Sequence, residues 1–565
     1  MIRRHSLILC FLMVCAGAGT LTSCRNESQR TQDEFIRFIV DYEKKIEPLD
    51  KAFQLSAWSY AQSGKAEDLW RCDSLRKVKI RVLHNEKNFQ YLSRLRKNHR
   101  IQDPYLLRQL ELLYRLYRPC QADLDLQDQI LGMETFLRLR LQEDMRSPEI
   151  RRAENTLRYS KRSSELKAAW SKLKSRGNVL QDTLLHLVAL RNEQARQAGF
   201  DNYFQLRLFQ DGLCETFVDS IACMLKQSTD EAYLRQKRKM DAHLHRQCAV
   251  QEADLAPWHY RGHFLQNGMP ACNTDRDHYY GYVSIHQTVS RFFAGIGLPV
   301  DDILRGGHTS GQGGDSPFLH CFDIDRKKDI RIAGHLQGTE NDMRQLLAVA
   351  GKACYCKYIP EALPYLLRMP SEPFLQEGMA SFFGSMAGYS NWVLSMGLFS
   401  LGQTHQMQPS CVEKSRRSEM MEMRWALFLY AFEKTLYTST CDAGTIEKNW
   451  QELAETYMHF SASAASSSAN WAAEAYFSLT SVSAHNTFLG KLFASQLLDW
   501  FCDNCARVGT SQDPDFVGFE QVGKHLQNHL FHAGASRPWT ELVREATGET
   551  LSAEAWIRNF VSPNL

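Results

Sequence analysis

Apolar residues recur at helical spacing along most of this chain, and almost nothing in it alternates as a strand does. Leu106, Leu107, Leu110, Leu113 and Tyr114 follow the i, i+3, i+4, i+7 order of a buried face, with Arg and Gln between them. Residues 183–198 do the same through Leu184, Leu185, Val188 and Ala189. The best strand signal is residues 329–335, where Ile330 and Ile332 alternate with charged or small residues. No Pro/Gly-rich linker interrupts the pattern after residue 35, although 565 residues is long for one domain. The expectation is a mostly α fold in two lobes, one helical unit over residues 35–565, with a very small β element.

The N-terminus reads as an export signal. Arg3 and Arg4 precede an apolar stretch over residues 7–19, too short for a stable membrane span, and then Leu21-Thr22-Ser23-Cys24. That tetrapeptide resembles the bacterial lipobox, which implies cleavage of residues 1–23, lipidation of Cys24 and a tether over residues 24–34. The alternative is an ordinary signal peptide with a chance cysteine. The formal charge is +3, and losing Arg3 and Arg4 leaves +1, so there is no electrostatic case for nucleic acid. The basic runs 138–140 and 161–176 carry acids or apolar residues at helical spacing and read as solvated helix faces.

The chemistry concentrates in residues 341–385. A Pro-free, helix-compatible run from Asn341 to Cys356 is followed by Leu363-Pro364, Leu367-Arg368, Pro373-Phe374 and Gln376-Glu377-Gly378. This order resembles the angiotensin-converting-enzyme family of zinc peptidyl-dipeptidases, where a His-Glu-x-x-His helix is followed by the same landmarks and a second helix opening His-Glu. The resemblance extends colinearly over roughly residues 35–560. Ala57-Trp58, Leu190 to Ala195, Gly199-Phe200-Asp201-Asn202-Tyr203, Pro257-Trp258-His259-Tyr260, Phe292-Phe293, Gly297-Leu298-Pro299, Thr480-Ser481-Val482 and Ser536-Arg537-Pro538-Trp539 all take part. It implies an elongated gluzincin fold with a deep central cleft, and with residues 35–120 as lid helices.

Residue by residue, the resemblance then implies loss. The His-Glu-x-x-His window falls on Ala348, Val349, Ala350, Gly351 and Lys352, and no His-Glu dipeptide occurs anywhere in the chain. Catalytic zinc needs three protein ligands and an open position for water, with the motif's Glu as general base. Only Glu377, aligned with the third ligand, remains. The oxyanion-stabilising His and Tyr fall on Phe477 and Thr487, and the carboxylate-binding Lys and Tyr on Ala475 and Ala484. A chloride-ligating Arg falls on Asn486, and a substrate-contacting His on about Phe318. No zinc or other cofactor is expected. Lys352 either replaces the ion as a cation paired with Glu377 in a buried cleft, or points to solvent while Glu377 caps its own helix.

Other constellations have plainer readings. Cys502-x-x-Cys505 lacks a second pair at zinc spacing and reads as a local disulfide or buried thiols. Cys354 and Cys356 follow the vacated motif without further ligands. Thirteen of the 16 cysteines follow Cys24, an odd number. His525, His529 and His532 share one helical face as a polar stripe, while His243 and His245, two apart, do not face each other. The loops at 305–317 and 461–469 lack the Gly-x-x-x-x-Gly-Lys pattern of a phosphate cradle. The expected protein is therefore an exported, lipid-anchored cell-envelope pseudopeptidase that takes a peptide or protein partner in its cleft. The alternatives are a metallopeptidase with an unrecognised metal site around Glu377, or a structural envelope component.

Overall fold

The computed structural model describes residues 3–260, 280, 283–309, 319–439, 442–460, 469–505 and 509–562, with the side chains of 3–26 and 405–410 outside that set. Helices dominate it. Two short antiparallel hairpins are the sheet content: His320–Asp323 with Ile330–Ala333, and Gly509–Thr510 with Asp513–Pro514. The first lies where alternation predicted a strand. The second, two residues per arm, is too short for any period to announce it.

The N-terminal helices run Arg3–Ser63, Ala66–Leu83, Glu86–Asn98 and Pro104–Tyr117. On the first, Phe35, Ile39, Tyr42 and Ile46 repeat at 4-3-4 spacing, so one stripe meets Leu92, Leu95, Leu110, Leu113 and Tyr117 in a separate apolar cluster. Leu107, expected on this face, is exposed instead, because Leu110, Leu113 and Tyr117 define a stripe it does not share. Tyr365, Leu366, Leu367 and Ala535 complete the cluster and join these helices to the C-terminal half. The joint is also polar. The buried Arg108 donates to Ala535 O at 2.9 Å, Ser371 Oγ at 3.0 Å and Glu372 Oε1 at 2.9 Å.

The main core gathers the Glu340–Lys357, Pro373–Ser385, Leu401–Thr438 and Ala484–Asn504 helices. A capping box closes the start of the first: Thr339 accepts from Asp342 N while Asp342 accepts from Thr339 N. Pro373 opens the second at a position where its missing N–H costs nothing. Glycines let three of these helices touch. A Cβ on Gly351 would lie 2.5 Å from Phe383 Cδ2, and one on Gly490 would lie 2.8 Å from Gly378 N and 2.9 Å from Glu377 Cβ.

Candidate functional site

Lys352 and Glu377 come together at these glycine contacts. Lys352 Nζ donates to Glu377 Oε1 at 2.6 Å, across the interface of the Glu340–Lys357 and Pro373–Ser385 helices. The buried cleft expected for the pair is corrected by its exposure: the side chains are 25% and 41% accessible. The close passage of Gly490 behind Glu377 holds the carboxylate's backbone while its tip stays wet.

Of the other positions that the sequence singled out, Val349 and Phe477 are buried, Ala348 is half-buried against Gly384, and Thr487 is exposed. Phe477 packs edge-on to Phe432, Trp450 and Trp471 in an aromatic cluster. Ala484 is buried. Asn486 donates to Asp211 Oδ2 at 2.9 Å, and the same oxygen lies 2.8 Å from His485 Nε2. Phe318 and most of the 305–317 and 461–469 loops fall outside the described residues, and Cys24 lies among those whose side chains are outside them.

Next to the pair stands a charge cluster that local spacing does not announce. Arg344 Nη2 is 2.7 Å from Glu422 Oε1, and Lys491 Nζ is 2.8 Å from Glu419 Oε2 and 2.7 Å from Glu422 Oε2. Burial alone would raise the pKa of Glu422, but Arg344 and Lys491 outweigh it and hold the carboxyl at about 2. Arg344 is nonetheless 40% accessible.

His320, on the first hairpin, has the same character. Its ring is exposed, yet desolvation lowers its pKa, and the charges of Lys352 and Arg138 lower it further. The neighbouring thiols are inert: burial pushes Cys321 up to about 12 and Cys356 well above the usual range. On the far side of the main core, Glu433 is buried and raised to about 7 by desolvation, although Tyr476 and the backbone N–H groups of Val482, Ser483 and Ala484 pull it down. Those N–H groups belong to a turn in which Val482 takes φ +46°, a strained value for a β-branched residue.

The model of the angiotensin-converting enzyme peptidase family matches residues 320–563, which begin at this hairpin and include Lys352, Glu377 and the Arg344–Glu422–Lys491 cluster. Residues 320–563 are thus similar to the angiotensin-converting enzyme family. The chain is also 24% identical, over 229 residues, to an angiotensin-converting enzyme-like protein of Mus musculus. That match covers 39% of this chain and 31% of the relative, so it spans well under half of either.

The fit of zinc to this site can be judged from the residues present. The Lys352 ammonium sits 2.6 Å from the Glu377 carboxylate, and a cation there repels a metal ion. Among the described residues, no group of three or more His, Cys, Asp or Glu is placed to hold a metal. The described residues around Glu377 do not fit zinc.

The remaining expectations resolve simply. Cys502 and Cys505 are free thiols, as are Cys354 and Cys356. The three-histidine stripe is corrected: the helix ends at His529, and His532 sits on the separate Phe531–Ala533 turn. His525 lies over Trp500 at 3.7 Å with Nε2 2.8 Å from Ala546 O, so it packs inward and does not form a polar face. His245 Nδ1 lies 2.5 Å from Val250 O, beyond the end of its own helix.

Proposed function

We propose that this angiotensin-converting enzyme-like chain is a pseudopeptidase: it receives a peptide or an unstructured protein segment in its cleft without hydrolysing it. One observation carries the reading, the Lys352–Glu377 ion pair standing where a ligand His and a zinc ion belong. Removal of the general base at Val349 and of the oxyanion donors at Phe477 and Thr487 supports it, since each such donor is typically worth about 100–1000-fold in rate. The water-accessible Arg344 and His320 support binding over a purely structural role. The export signal and Cys24 support a site of action on a bacterial envelope, anchored by lipid. No helix among the described residues is long and apolar enough to cross a membrane.

The test is to incubate purified protein with a pool of short peptides, with and without added zinc, and to follow binding by thermal shift and products by mass spectrometry. Binding with product release at background is expected. Chelator-sensitive release of C-terminal dipeptides, abolished by Glu377→Ala, would establish instead a metallopeptidase with a metal site built around Glu377.

A further inference from the structure

The far end of the Ala484–Asn504 helix carries a pocket that the peptide reading does not use. From Gly490, which touches Glu377, to Asn504 the helix rises about 20 Å. The pocket lies between this helix end and the Glu520–His529 helix. Its volume is about 470 Å³, within the roughly 300–1,000 Å³ of small-molecule sites. Trp500, Asn504, Phe519, Gln521, His525 and Asn528 line it. Gln521, His525 and Asn528 fall at i, i+4 and i+7, one stripe of the second helix, while Val522 and Leu526 take its buried side.

Most polar atoms on these walls are left unspent by the protein. His525 Nε2 lies 2.8 Å from Ala546 O, so that nitrogen carries the ring hydrogen. Burial lowers the pKa of the ring, which keeps it neutral with Nδ1 as an open acceptor. Asn504 gives its Nδ2 to Trp500 O at 2.8 Å and keeps Oδ1 as a second acceptor. Among the described residues, the Gln521 and Asn528 carboxamides and the Trp500 indole N–H have no hydrogen-bond partner. The charge at the rim is balanced, with Lys524 Nζ 3.3 Å from Glu520 Oε2. His525 covers one face of Trp500 at 3.7 Å between ring centroids, so no flat heterocycle enters that stack. Phe519 has no ring partner among the described residues.

We infer that this pocket binds a neutral sugar ring. Open acceptors at His525 and Asn504 require hydrogens from the ligand, which a hydroxyl has and a carboxylate or phosphate lacks. A carboxamide presents a donor and an acceptor side by side, and Gln521 and Asn528 each match a pair of neighbouring hydroxyls in that way. The Phe519 ring gives the C–H face of a pyranose an apolar surface to lie on. No carboxylate lines the pocket, so a cationic ligand finds no counter-charge there. The residues are separate from those of the peptide-binding reading, and either site can fail alone.

Saturation-transfer NMR on the full chain tests this with millimolar methyl glucoside, methyl galactoside and methyl N-acetylglucosaminide, against glucuronate and adenosine. At least one neutral glycoside should take up saturation about fivefold above both controls, most strongly on the C–H hydrogens of one ring face. Phe519→Leu keeps apolar volume without the ring and should weaken binding about fivefold or more. Gln521→Ala combined with Asn528→Ala should do the same, with the melting temperature unchanged because both side chains are exposed. Raised salt should leave binding as it is. A disaccharide of the bound sugar that binds about tenfold more tightly identifies a glycan chain end as the ligand, and equal binding identifies the free sugar. The sugar site is overturned if no neutral glycoside is saturated, if either control binds better, if binding survives undiminished in either variant, or if salt weakens it. None of these results bears on the Lys352–Glu377 cleft, whose peptide reading fails only if the peptide pool gives no thermal shift.

Discussion

Lys352 and Glu377 meet at 2.6 Å, but they do so at a water-accessible rim, with the carboxylate 41% exposed. The pair is close but not dry. That distinction sets its energy. A dry carboxylate stranded by loss of its partner costs several kcal/mol, whereas a solvated pair is worth about 0–1 kcal/mol. Lys352→Ala should therefore lower stability by less than about 1 kcal/mol, and a double-mutant cycle with Glu377→Gln should give a coupling of the same small size. Urea denaturation of the four proteins checks this, and a loss of several kcal/mol would mean the pair is dry in solution.

Gly490 is predicted to matter more than either charge. A Cβ there would sit 2.8 Å from Gly378 N and 3.0 Å from the Glu377 carbonyl carbon, both backbone atoms that can move only with their helix. Gly490→Ala should cost about 1–3 kcal/mol, in the range of core overpacking. Gly402→Ala, where nothing lies within 4 Å, should be neutral or slightly stabilising. Thermal melts of the two variants give the comparison.

A truly buried pair lies elsewhere. Lys174 is fully buried beside the almost fully buried Glu474, and burial pulls the lysine down to about 8 despite the carboxylate beside it. Removing one partner leaves the other charged in a dry site, so Lys174→Ala should cost about 3–5 kcal/mol. Lys174→Met combined with Glu474→Gln should recover most of it. If the single variant is as stable as the parent by urea denaturation, the pair is not buried in solution.

Two raised carboxyls set a pH dependence. Glu433 goes from an unfolded value near 4.5 to about 7, and Asp323 from 3.8 to about 6, each chiefly by desolvation. Between those values the folded state binds more protons than the unfolded one, so stability falls as pH rises and levels off above about pH 7. Glu433 alone should contribute a decline of about 3 kcal/mol between pH 4.5 and 7. Glu433→Gln keeps an acceptor for Val482 N and should remove that part of the slope, leaving the variant more stable than the parent at pH 8. Stability curves over pH 4–8 that superimpose for parent and variant would contradict this.

Anchoring tests the N-terminal reading. Cys24→Ser should move the protein from the membrane fraction to a soluble exported form. Fractionation unchanged by the substitution would place the anchor elsewhere.

Much of this was legible along the chain because helices are local objects. The 3.6-residue period located the buried faces around Leu110 and Leu184, and the window at residues 348–352 displayed the missing ligands directly. The two misjudged faces, Leu107 and the His525–His532 stripe, share one cause: a helical period says nothing about where a helix stops or which side its neighbours cover.

What the sequence by itself determined was which residues are present: no His-Glu dipeptide, a lysine at 352, a glutamate at 377, and a Leu-Thr-Ser-Cys run ending at Cys24. Tertiary structure alone decided the distances and the water. Arg344, Glu419, Glu422 and Lys491 come from three helices, and Arg138 reaches the field of His320 from almost two hundred residues away. The same packing at Gly351, Gly378 and Gly490 that joins Lys352 to Glu377 also leaves them at the rim. Charge energies depend on separation and desolvation, and both belong to the packed molecule and not to the spacing of residues along the chain.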